Sequence, residues 1–79
     1  MTEQQRKDIL VETVKQFGRQ EWFRDAVVHD SYPTTREATL EFKVNYVPVL
    51  DRKTVMSFAA TVGLRELFTQ VDRDGNPAV

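Results

Sequence analysis

The sequence contains no cysteine. That excludes a disulfide framework, a thiolate metal site and a thiol nucleophile, and it agrees with a reducing compartment. It contains one histidine, which cannot build a zinc site unless several carboxylates converge on the same point. No metal and no cofactor is therefore expected. The three glycines stand singly at 18, 63 and 75, so no glycine-rich loop is present to cradle a phosphate. Long apolar runs are missing too. The longest is a few residues, against the ~20 that a membrane helix needs. The start, Thr2-Glu3-Gln4-Gln5-Arg6-Lys7-Asp8, has no apolar segment after it of the kind a signal peptide carries. A cytoplasmic location with no membrane association is expected.

An excess of one charge is also lacking. Eleven basic residues face twelve acidic ones, for a net charge of −1. The balance is local as well: residues 1–25 hold five of each sign, and residues 51–79 hold four of each. Such a chain has no electrostatic footprint for nucleic acid. Arg6, Lys7, Lys15, Arg19 and Arg24 are interspersed with acids and read as a solvated face. Nucleic-acid binding is accordingly not expected. No repeat, linker or low-complexity tract divides the chain, so residues 1–79 read as one small domain.

What is present is a core. Hydrophobic residues make up 41% of the chain, with five Phe, two Tyr and one Trp. A chain of this length buries only roughly 60% of its unfolded surface, so the core is modest. The first segment reads as a helix from about residue 3 to 17. Thr2 and Gln5 form a T-x-x-Q capping box. Leu10, Val14 and Phe17 make an apolar stripe, and Gly18 stands where a left-handed helix end is common. Gln20 to Phe23 is either a helical turn or the approach to a strand. Val27 and Val28 mark a short strand over 25–29, and two adjacent β-branched residues suggest a central position in a sheet. Pro33 breaks the chain into a loop.

The segment 39–47 is the clearest strand. Leu40, Phe42, Val44 and Tyr46 alternate with Glu41, Lys43 and Asn45, so one face is buried and the other meets water or a partner. Asp51 caps a second helix over 52–62, with Leu50 and Val55 as a hydrophobic staple. Val55, Phe58, Ala59 and Val62 face the core, Met56 is assigned to the core as well, and Gly63 ends the helix. Residues 64–71 fit a helix or a strand by pattern. A two-stranded sheet is marginal in water, which favours the strand.

These elements predict an α+β two-layer sandwich in α-β-β-α-β order. The three-stranded sheet is mostly antiparallel, a split β-α-β with both helices on one face. Strand 25–29 is placed between 39–47 and 64–71. The arrangement resembles a ferredoxin-like plait without its first strand. It leaves one sheet face and the edges open, with 39–47 as a long edge strand. Open edges and small cores both favour association. The expected function is a non-enzymatic protein-binding or regulatory module, acting through the open face or an edge and able to self-associate as a homodimer. The candidate interface residues are Tyr32, Arg36, Glu41, Lys43, Asn45 and Val47. The alternative is an enzyme or enzyme subunit in which Asp25, on the same strand face, assists His29 as a general base. A weak nucleic-acid-binding domain is a third reading.

The string from Leu64 to Asn76 is similar to the entering helix and first loop residues of an EF-hand. Asp72, Asp74 and Asn76 fall on the first, third and fifth loop positions, whose oxygens hold calcium in that family. Pro77 stands where the family requires glycine, and Val79 is reached short of the bidentate glutamate. Calcium binding is not expected, and a tight turn accounts for the same residues.

Overall fold

In the computed structural model, which describes residues 1–45 and 51–78, the elements follow the predicted order. They are α1 (Glu3–Phe17), β1 (Phe23–His29), β2 (Thr39–Val44), α2 (Arg52–Thr61) and β3 (Arg65–Gln70). The segment 64–71, ambiguous by pattern, holds the strand Arg65–Gln70, so the helix that an EF-hand would need is absent from it. The far end of the predicted strand 39–47, with Tyr46 and Val47, and the staple residue Leu50 lie outside the described residues.

The N-terminus of α1 closes as the sequence predicts. Thr2 accepts from the Gln5 amide, and the Gln5 side chain accepts from the Thr2 amide at 2.8 Å. The stripe facing the core is rotated from the expected one. Thr13 and Phe17 are buried, with Ile9 and Leu10 packed beside them, while Val14 is 53% exposed. Thr13 occupies a core position because its hydroxyl donates to the Ile9 carbonyl at 2.7 Å, leaving its methyl to pack. Gly18 is right-handed (φ −61°, ψ −20°), not left-handed; its amide donates to Val14. In α2, Asp51 caps the Thr54 amide, and Val55 and Ala59 face inward. Met56 is 52% exposed rather than in the core, because its position falls outside the Val55–Ala59 stripe. Gly63 turns the chain at φ +72°, a conformation that other residues adopt at a cost.

The strand order is β1-β2-β3, so β2 is central and β1 lies at an edge. This corrects the expected order, which has 25–29 central and 39–47 at the edge. β1 pairs antiparallel with β2, and β3 pairs parallel with β2. The reason is the short β2–α2–β3 crossover. Leu64 donates back to the last turn of α2, and the Arg65 amide bonds the Ala38 carbonyl. β3 is thereby docked on β2 with no room for a strand between them. Val27 and Val28 do not need a central slot. Val28 packs in the core under the helices, and Val27 is half-buried on the opposite face.

Both helices cover the face that bears Leu40, Phe42 and Val44, all three fully buried. Phe42 is the hub. The rings of Phe17, Trp22, Phe23 and Phe68 lie 5.5–6.3 Å from it. Phe17 also meets Phe58 edge-on at 5.5 Å, tying α1 to α2 across the sheet. Aromatic pairs in this geometry add to the hydrophobic gain from burial. Phe42→Ala should cost about 3–5 kcal/mol of stability, whereas Val14→Lys, at an exposed site, should stay within about 0.5 kcal/mol. Urea unfolding monitored by circular dichroism measures both.

Candidate functional site

Side chains alternate across a strand, so the second sheet face is assembled from three rows. The paired residues are His29, Thr39 and Arg65; then Val27, Glu41 and Leu67; then Asp25, Lys43 and Thr69. No helix or strand among the described residues lies over this face. The loop over 31–38 leans on one end of it. Tyr32 meets the His29 ring edge-on at 5.1 Å. A shallow cleft there is lined by Tyr32, Thr35, Thr39, Arg65 and Leu67. A second cleft at the opposite end is bounded by Arg24, Asp25, Lys43 and Gly75.

Glu41 sits in the middle of this face and is only 9% exposed. Alternation alone predicts a solvent-facing side chain at this position. Flanking strands on both sides instead bury it, because β2 is central. Its two oxygens are both engaged. His29 Nε2 lies 2.9 Å from Oε1, and the Thr69 hydroxyl donates to Oε2 at 2.6 Å. The three side chains stitch β1, β2 and β3 together along one diagonal. Burial alone pushes the Glu41 carboxyl up. The bonds from Thr69 and His29, with the positive charges of His29 and Lys43, outweigh it and hold the group below its ordinary value.

The other candidates are distributed as follows. Lys43 is half-buried on the same face, one row from Glu41. Arg36 is exposed in the loop at φ +58°, its amide donating to the Tyr32 carbonyl at 2.7 Å. Asn45 is committed within the chain, donating to the Glu21 carbonyl and accepting from Arg24. Val47 lies outside the described residues. No hydrogen bond joins Asp25 to His29 among the described residues; the Asp25 carboxylate accepts from the Ala26 amide at 2.9 Å. Asp25 and His29 share a strand face but stand four residues apart, roughly 13 Å along a strand. Histidine's carboxylate partner is Glu41, from the neighbouring strand. Residues near one another in sequence reveal neither partner: His29 meets Glu41 through the pairing of β1 with β2, and Thr69 reaches Glu41 only because β3 adjoins β2. At the C-terminal turn, Asp72 accepts from the Asp74 and Asn76 amides, which closes a turn around a carboxylate.

The edges are less open than the sequence suggests. On β1, the Asp25 carboxylate takes the Ala26 amide and the Arg6 guanidinium donates to the Val28 carbonyl while pairing with Asp30 at 2.9 Å. Side chains that cap backbone groups in this way block strand addition. No helix among the described residues is long and apolar enough to cross a membrane. Comparison of the chain with known family models, with curated proteins and with solved structures yields no match in any of the three.

The lowered Glu41 carboxyl fixes the sign of a pH dependence. The folded state holds the proton less tightly than the unfolded chain, so the stabilisation is complete above the ordinary value of 4.5 and is lost as pH falls through the folded one. Urea midpoints measured from pH 7 down to 3 should therefore fall on the acid side. Glu41→Gln, which cannot ionise, should be less stable at pH 7 and show a shallower acid decline.

Proposed function

We propose that this chain is a non-enzymatic protein-binding or regulatory module, working in the cytoplasm through the open face of its sheet. The observation that carries the reading is the make-up of that face. Half-buried Val27, Leu67 and Tyr32 are set among Asp25, Lys43 and Arg65 on a surface made rigid by the His29–Glu41–Thr69 bonds. Small apolar patches ringed by polar groups are the composition of non-obligate protein interfaces. A rigid platform also lowers the entropic cost of association. Within the candidate set, Tyr32, Glu41 and Lys43 belong to this surface and Arg36 borders it. Glu41 acts by holding the strands and His29 in place, and Lys43 and Tyr32 supply contact.

A second reading, an enzyme or enzyme subunit, is favoured by one observation: a histidine oriented by a carboxylate that is itself oriented by a hydroxyl. In that reading His29 is the base and Glu41, not Asp25, its partner. No serine or threonine nucleophile bonds to His29 among the described residues, which leaves proton transfer as its chemistry. NMR titration of His29 with and without candidate small ligands separates the two readings. A ring that ignores every ligand removes the enzymatic one.

The main test uses the double variant Lys43→Glu with Leu67→Thr. The immobilised parent should retain a partner from an extract of its native host. The double variant should lose it while keeping the parent's circular dichroism and urea midpoint to within a small shift. A folded double variant that retains the same protein with equal affinity contradicts the face assignment.

A further inference from the structure

β3 presents a different edge from β1. The Arg65 amide bonds Ala38 and the Val71 amide bonds Val44, so the odd-numbered residues of β3 turn their backbone groups toward β2. The even-numbered ones turn outward. Gln70 follows this pattern, because its carbonyl accepts from the Ala78 amide at 2.9 Å where the chain folds back beside Val71. The outward amides and carbonyls of Glu66 and Phe68 form no hydrogen bond among the described residues. Among the described residues, the segment Glu66 to Phe68 is therefore an unprotected stretch of edge. On β1, by contrast, side chains bond the outward Ala26 amide and Val28 carbonyl.

We propose that this edge pairs antiparallel with the same edge of a second copy of the chain. The proposal deepens the protein-binding reading and rests on it in one respect, that the molecule works by association. Outward-facing residues must stand opposite one another in an antiparallel ladder, which limits the registers. Setting Glu66 opposite Gln70 fails, since the Gln70 carbonyl is already taken by Ala78. Setting Glu66 opposite Glu66 brings like charges together, which is unfavourable. The remaining register places Glu66 of one copy opposite Phe68 of the other, with the two-fold axis at Leu67.

That register is complementary in charge and shape. Arg52 lies over the Phe68 ring at 5.0 Å, and neither Arg52 nor Glu66 forms an ion pair with another described residue. Pairing brings Glu66 of each copy to Arg52 of the other. On the opposite face the two Leu67 side chains meet. The Glu66 and Phe68 backbone groups of both copies are satisfied, and the two sheets join into one. The open faces then lie side by side on a doubled platform.

Sedimentation velocity over a concentration series tests the pairing. The parent should shift from monomer to dimer below about 1 mM. Glu66→Arg and Arg52→Glu should each raise the dissociation constant about tenfold or more, because each sets like charges opposite at two symmetric places. An equimolar mixture of the two variants should recover dimers, since opposite charges then face each other again at both symmetric places. Both substitutions are on the surface, and a urea midpoint verifies that each variant is folded. A parent monomeric at about 1 mM, single variants that dimerise as the parent does, or a mixture that stays monomeric overturns the proposal. A parent that stays monomeric while its open face still retains the partner would overturn the edge pairing alone and leave the face reading standing.

Discussion

The rest of the structure depends on one constraint: β2 is buried on both of its faces. Toward the helices it contributes Leu40, Phe42 and Val44, none of which has any exposure. Toward the other side it contributes Thr39 and Glu41, also buried, although no helix covers them. A carboxylate in that position is stable only if its oxygens are bonded, since an unpaired buried charge is costly. His29 and Thr69 meet that demand from the two neighbouring strands. The apolar half of β2 thus specifies how the helices pack, and its polar half specifies how the strands register. A one-residue slip of either neighbour would turn that neighbour's side chains to the opposite face, taking His29 or Thr69 away from the carboxylate and leaving it unpaired.

This division explains why the second sheet face is a surface rather than a defect. A bare face on so small a domain would ordinarily expose apolar side chains. Here the middle is polar but internally satisfied, and the apolar side chains around it, among the described residues, are Val27, Leu67 and the ring of Tyr32. Such a face tolerates water and still offers contact area. The edges differ in the same spirit. Arg6 and Asp25 bond the outward Val28 carbonyl and Ala26 amide of β1, the returning tail at Ala78 caps the end of β3, and the stretch from Glu66 to Phe68 carries no such bond among the described residues.

Much of the fold is legible in local signals. The Thr2–Gln5 box, the Asp51 cap, Gly63 and the alternation from Leu40 to Val44 each act within a few residues, and each places its element correctly. The strand at 65–70 follows from the need for a third strand rather than from its own pattern. What local signals do not carry is the order of strands. Val27-Val28 looks central because both are β-branched, yet α1 buries Val28 at an edge. Glu41 looks exposed because it is charged, yet six residues of near-continuous burial in β2 mark a central strand. The site is missed in two ways: His29 is matched to Asp25, its neighbour in sequence, instead of to Glu41 across the β1–β2 pairing, and Thr69 reaches Glu41 only because β3 adjoins β2. Thr13 and Val14 exchange roles for a related reason: a hydroxyl that bonds back to the preceding turn packs as well as a methyl.

The position of β2 between its two neighbours is tested most directly by cross-strand nuclear Overhauser contacts in the folded chain. Glu41 should show backbone contacts to Val27 on one side and Leu67 on the other, with none between Val27 and Leu67. Direct backbone contacts between Val27 and Leu67, with Glu41 touching only one strand, would contradict a central β2.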